Sequence, residues 1–194
     1  MEIAVIGTGF IGSTLGGALA RAGHQVTFGS RHPESAETGA VADGARVATV
    51  DEALSGAEVV LLALPGPAVA DFAAGHADAL AGKLVIDATN QMGAPVANAR
   101  VALPPGVRYA RAFNTLGGEV MADPEFADGR ADMFFSAPAA DRATVEQVIE
   151  GVGLRPVYVG EDQEAIIDAL FRLWIALAIQ QGRGRRLALH LLEG

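Results

Sequence analysis

An apolar run, Ile3 to Ile6, leads into Gly7-Thr8-Gly9-Phe10-Ile11-Gly12, and a helical stretch continues to Ala22. A strand that turns through three glycines into a helix is the opening half of a crossover unit. Such a unit is completed by a second strand parallel to the first. Each glycine in the string has its own task. Gly7 permits the tight turn, Gly9 lets bare backbone approach a pyrophosphate, and Gly12 lets the helix lie close against the sheet. The free amides and positive dipole end of that helix then face the phosphates. Gly23 is placed to close the helix in left-handed geometry.

The second strand, Gln25 to Phe28, ends in Gly29-Ser30-Arg31-His32. An enzyme selecting NAD carries an acid here for the ribose 2′-hydroxyl, and this chain has neither Asp nor Glu at the place. A hydroxyl at Ser30 and a planar fork of donors at Arg31 suit a 2′-phosphate instead, which favours NADP(H).

Beyond this unit, strand-like runs recur at Arg46 to Ala48, Val59 to Leu64, Leu84 to Asp87, Val107 to Ala112, Met133 to Ser136 and Arg155 to Val159, with helical patterns between them. That alternation predicts an α/β fold of the Rossmann type, a doubly wound and mostly parallel sheet of about eight strands. The runs at Val59 and Leu84 are almost continuously apolar, as strands covered on both faces are. Thr49-Val50-Asp51-Glu52 has the pattern of a capping box opening a short helix. From Glu161 onward the pattern is helix alone, so the chain divides into a nucleotide-binding domain, residues 1–160, and a C-terminal helical segment, 161–194. Ile166, Ile167, Leu170, Phe171, Leu173, Trp174, Ile175, Leu177 and Ala178 cover more than one stripe of that helix. The expectation is that part of this surface meets the protein's own sheet and part a second subunit, giving a homodimer.

Composition narrows the partners. There is no cysteine, which removes disulfides, thiol catalysis and cysteine-held metal, and fits a reducing compartment. A net charge of −9 argues against nucleic acid. No window reaches the roughly 18 apolar residues of a membrane span, since Asp168 and Arg172 interrupt the best candidate, Ala165 to Ile179. With no signal-like segment in front of the first strand, the expected location is the cytoplasm.

Ligands of an open parallel sheet bind beyond the carboxyl ends of its strands. There the sequence places Leu64-Pro65-Gly66-Pro67, Asp87-Ala88-Thr89-Asn90 and Ala112-Phe113-Asn114-Thr115-Leu116-Gly117-Gly118. The first is a stiff apolar turn along the nicotinamide end of a cofactor, and the others carry the amides and hydroxyls that a planar ligand requires. No convincing proton donor accompanies them. Lys83 and His24 precede strands, at the wrong end of the sheet, and His32 sits by the adenosine phosphate. His76 falls in a crossover, His190 has no evident place, and Tyr109 and Tyr158 lack a partner lysine. No metal-ligating cluster is present either. The simplest chemistry is direct hydride transfer to an acceptor that supplies its own acid-base chemistry, with no catalytic side chain.

Gly7-Thr8-Gly9-Phe10-Ile11-Gly12, Gly29-Ser30-Arg31, Arg111-Ala112-Phe113-Asn114-Thr115-Leu116-Gly117 and the closing Leu170-Phe171-Arg172-Leu173-Trp174 together resemble the NADPH-dependent coenzyme F420 reductases, also called F420H2:NADP oxidoreductases. The resemblance implies a small dimer that stacks nicotinamide on a deazaflavin and passes hydride between the rings. It places Thr8, Ser30 and Arg31 at the 2′-phosphate, with Leu64, Pro65 and Asn114 bordering the rings. Archaeal members often carry an extra glycine before this motif, and this chain does not. On the same nucleotide motif stand an NADPH reductase of another acceptor (a flavin, ferric chelate, quinone, imine or carbonyl compound) and a non-catalytic redox sensor. The basic run Gly182-Arg183-Gly184-Arg185-Arg186 is a candidate for the anionic tail of the acceptor.

Overall fold

The structure is a computed structural model that describes residues 1–35, 44–90, 98–192 and 194. Eight strands form one sheet: β1 (Glu2–Ile6), β2 (Gln25–Ser30), β3 (Arg46–Thr49), β4 (Val59–Leu62), β5 (Leu84–Asp87), β6 (Arg108–Arg111), β9 (Asp132–Ser136) and β10 (Arg155–Gly160). Their order is β10-β9-β6-β5-β4-β1-β2-β3. The first six strands are parallel and have the order of a dinucleotide-binding sheet. All eight expected strands form. A two-stranded hairpin, β7 (Glu125–Phe126) with β8 (Gly129–Arg130), carries too little alternation to be read from sequence.

Alternation within each strand sorts side chains onto the two faces. Ile3, Val5, Val26, Phe28, Val59, Leu61, Leu84 and Ile86 join a core with residues of α1 (Phe10–Arg21), α5 (Gly118–Ala122) and α6 (Arg142–Gly151). Ala4, Ile6, Val60, Leu62 and Val85 point the other way, onto α2 (Val50–Gly56), α3 (Val69–Gly75) and α4 (Ala77–Leu80). Each large apolar side chain buried in this way contributes about 1.5–3 kcal/mol before the entropy of ordering it. Local signals act as expected. Gly23 takes φ +90° after α1, and the Thr49 hydroxyl and Glu52 carboxylate cap α2 reciprocally.

Past β6 the sheet reverses. β9 pairs with β6 antiparallel, its last residue Ser136 against Arg111 at the end of β6, and β10 lies parallel to β9, so these two strands run opposite to the first six. The final helix, α7 (Glu164–Ile175), continues through a π-helical turn, Ala176–Gln180. The expectation of helix alone after Glu161 fails beyond that point: residues 183–192 carry no helix. Gly182 and Gly184 both take positive φ, which ends helical geometry, and the chain then turns back onto the body. Trp174 Nε1 donates to the Leu187 carbonyl at 3.0 Å, Arg185 pairs with Glu119 and Arg186 with Asp123. The Asp132 carboxylate accepts from the Leu191 N–H and from Arg155, and lies 3.2 Å from His190 Nδ1.

Candidate functional site

The carboxyl ends of β1 to β6 open into a cleft of about 1130 Å3. One half lies beyond β2 and β3, lined by Phe28, Gly29, Ser30, Arg31, His32 and Val50. The other lies beyond β4, β5 and β6, lined by Leu64, Pro65, Asn90, Phe113, Leu116 and Met121. The glycine turn joins them, bringing Gly7, Thr8, Gly9, Phe10 and Ile11 to the surface.

The turn shows why the glycines stand where they do. Gly7 has φ +117°, and a Cβ there would lie 2.5 Å from the Ala63 carbonyl oxygen, so β1 and the end of β4 meet through it. A Cβ on Gly12 would lie 1.9 Å from the Gly7 carbonyl oxygen. Gly9 is different: nothing stands within 4 Å of an added Cβ, and its backbone is extended, with φ −71°. The space above it is the cleft. Gly9 is the N-cap of α1, with no side-chain cap and no acid in the first turn, so the leading N–H groups are left to an incoming anion.

Charge and apolarity divide between the halves. Arg31 is exposed beside Ser30, whose hydroxyl oxygen accepts from the His32 N–H at 3.1 Å. His76 also lines the cleft. Its Nδ1 is 2.8 Å from the Phe72 carbonyl oxygen and its Nε2 3.6 Å from Asp51, at the start of α2. His76 thus bridges the end of α3, where it stacks on Phe72, and the start of α2, and Asp71 of α3 lines the cleft as well. In the apolar half Phe10 is 58 % exposed, its ring seated where Gly118 has no side chain. Phe113 is buried at φ +62°, a strained setting for a bulky residue, with its N–H directed at Met133 Sδ. Leu64, Pro65, Phe113, Leu116 and Met121 make this half largely apolar, and the ionisable side chains among the described lining residues of the whole cleft are Arg31, His32, Asp71 and His76.

Two of the expected residues do not line the cleft. Gly12 is buried beneath the turn, in the packing role its position implies. Asn114 is fully buried, its amide directed 3.4 Å toward Asp168 Oδ1 and its backbone carbonyl accepting from Asn90 Nδ2 at 2.8 Å. Its place is behind the wall. The basic run also sits elsewhere: Arg185 and Arg186 pair with Glu119 and Asp123, and none of its arginines lines the cleft. The Arg185 hydrogen bond holds the Glu119 carboxyl below its ordinary range.

What sequence reasoning missed lies under the apolar half. Arg111, wholly buried at the end of β6, pairs with Asp87 at 3.0 Å and Asp168 at 2.8 Å. The Asp87 carboxylate also accepts from Tyr109 Oη at 2.7 Å and from the Thr89 and Ala99 N–H groups. Burial, and then the neighbouring Asp87, push the Tyr109 hydroxyl far up, so it remains a donor. The only sequence signal was an arginine inside an apolar strand, which had to find acids in the interior.

Residues 2–91 match the model of a family described as NADP oxidoreductase, coenzyme F420-dependent. Over those residues, from β1 to just past β5, the chain is similar to that family. Similar solved structures extend the likeness over the whole chain. A protein from Arthrobacter sp. FB24, provisionally described as an F420-dependent NADP-reductase, is 28 % identical with a TM-score of 0.83, covering 100 % of both chains. A hypothetical protein from Sinorhizobium meliloti is 28 % identical with a TM-score of 0.72, covering 100 % of this chain and 96 % of its own. The imine reductase of Streptomyces aurantiacus shares the fold, at 22 % identity and TM-score 0.67, over 91 % of this chain and 61 % of its own. Among the described residues no helix is long and apolar enough to cross a membrane, and no group of three or more His, Cys, Asp or Glu side chains is placed to hold a metal ion.

Proposed function

We propose that the protein transfers hydride between NADP(H) and the deazaflavin coenzyme F420. One observation carries this reading: the cleft joins a helix-start anion site and an exposed Arg31 to a largely apolar half formed by Leu64, Pro65, Phe113, Leu116 and Met121, with neither Lys nor Tyr among the described lining residues. The orphan amides of α1 fit a pyrophosphate, and Ser30 with Arg31 fit a 2′-phosphate. Leu64, Pro65, Phe10, Leu116 and Met121 fit the flat faces of two stacked rings.

NADPH supplies the hydride, two electrons and one proton, and the reduced acceptor takes its second proton from solvent. The protein's part is to hold the two rings together and exclude water from between them. Proximity of this kind replaces side-chain acid catalysis. Reduction of an imine or carbonyl calls for a proton donor near the nascent nitrogen or oxygen, commonly Lys, Tyr or His. The described cleft lining offers neither Lys nor Tyr, while its His76 is engaged by Phe72 and Asp51. The family description and the full-length likeness to the Arthrobacter protein support the same acceptor.

The assay is anaerobic, with purified protein, NADPH and oxidised F420, following loss of deazaflavin visible absorbance beside matched NADH and FMN reactions. Fast loss with NADPH alone is the expected result. Tight NADPH binding without turnover of F420 or FMN would identify a sensor. The reading also includes a homodimer joined through α7, where Ile166 and Leu173 are 47 % and 44 % exposed along one stripe. Sedimentation of L173E as a monomer, against a dimeric parent, is the corresponding result.

A further inference from the structure

We propose that Arg111 is a positioning residue that fixes the Asn90 side-chain amide so that its one remaining N–H faces the cleft as a donor to a carbonyl oxygen of a planar ligand. The inference rests on the nucleotide-dependent reading above and specifies one polar contact within it.

The argument is one of donors and acceptors. A guanidinium only donates, so the Asn90 atom facing Arg111 Nη2 at 3.4 Å is the amide oxygen. A backbone carbonyl only accepts, so the atom 2.8 Å from the Asn114 oxygen is the amide nitrogen. The two partners together leave the amide a single orientation. One N–H of Nδ2 is then spent on Asn114 and the other is free. Asn90 is partly exposed and lines the apolar half of the cleft, where that second N–H has a ligand to meet.

Arg111 is itself held from several directions. Its Nε donates to Asp168 Oδ1 at 2.9 Å, and its Nη1 donates to the Thr89 carbonyl at 2.7 Å and the Asp87 carbonyl at 3.2 Å. These bonds tie the loop after β5 to α7 through one cation that has no solvent exposure. A side chain so constrained gives Asn90 a fixed aim, and a fixed donor is worth more to a ligand than a mobile one. Two sources supply the carbonyl: the nicotinamide carboxamide and the ring carbonyls of the deazaflavin.

The test is a double-mutant cycle in the full-length protein, with R111K, N90A and their combination. NADPH dissociation constants are read by fluorescence titration, and kcat/KM with NADPH and oxidised F420. Loss of one such hydrogen bond corresponds to about tenfold. N90A is expected to lose about that much, R111K a comparable factor, and the double variant no more than the worse single. Losses that multiply would show Arg111 acting on the fold independently of Asn90 and would overturn the proposal.

The two sources separate within the same data. Weaker NADPH binding in N90A identifies the carboxamide. Unchanged NADPH binding with a raised KM for F420 identifies the acceptor carbonyl. If neither moves, the proposal is wrong. Should R111K fail to fold, N90D decides: an acceptor-only carboxylate must act worse than N90A, and parity overturns the assignment. If the parent binds NADPH without turning over F420, the binding arm alone decides. A parent protein that binds no NADPH defeats the underlying functional reading instead.

Discussion

The α-carbon of Gly12 faces the carbonyl of Gly7 so closely that a methyl group on it would stand 1.9 Å from the oxygen. Neither partner can yield, because both are backbone and Gly7 is itself wedged against Ala63. G12A therefore has to push α1 away from β1 or unwind its first turn. We expect a loss of about 1–3 kcal/mol or more in stability, and with it the aim of the helix amides. Thermal unfolding and NADPH titration of the same sample should both be impaired.

Under the proposed function, Arg31 would set the choice between the two nicotinamide cofactors. It is exposed at the cleft edge beside Ser30. R31A should weaken NADPH binding by about 1–3 kcal/mol, the range of charge-assisted bonds to phosphate, and leave NADH nearly unchanged. Paired titrations with the two nucleotides check it. Equal losses would give Arg31 a structural role.

Asp132 carries a pH dependence. Burial opposes its charge, yet the Arg155 and Leu191 hydrogen bonds, reinforced by the charges of Arg155 and His190, hold its carboxyl below its ordinary value of 3.8. A group whose pKa is lower in the folded state stabilises the fold above the unfolded value. That contribution disappears as pH falls through the folded one. D132N should thus lower stability at neutral pH by about 1–3 kcal/mol, the cost of losing a buried, charge-assisted acceptor, and with it the melting temperature. The gap between variant and parent should narrow below about pH 4. Melting curves at pH 7 and pH 3.5 measure both.

The strands were legible because each has a run of apolar residues bounded by turn residues, and Leu84–Asp87 forms at its expected limits. Val59 to Leu64 ran two residues too far. Ala63 keeps a bond to the Ile6 carbonyl, but its own carbonyl turns against Gly7 and the strand ends there, an apolar demand that periodicity does not distinguish from a longer strand. The glycine turn was legible because short-range geometry dictates it, at Gly7 and Gly12 above all. Asn114 misled for the opposite reason: it has the chemistry of a ligand contact, but whether it faces the cleft or the interior depends on Asp168, 54 residues away in sequence. The basic run misled likewise, since its acids, Glu119 and Asp123, come from another element. Long-range pairing of charges leaves little local trace.

Gly9 offers a way to separate two demands that proteins usually entangle. Its neighbours at positions 7 and 12 are glycines because the fold allows nothing larger, whereas position 9 has open space and a φ of −71° that alanine adopts freely. G9A should then fold as well as the parent, with an unaltered or slightly raised melting temperature, while its methyl group occupies the place where pyrophosphate would lie. A protein intact by calorimetry and deaf to NADPH would be the ideal blank for every binding and turnover experiment on this chain. It differs from its parent only in the volume the fold has left vacant.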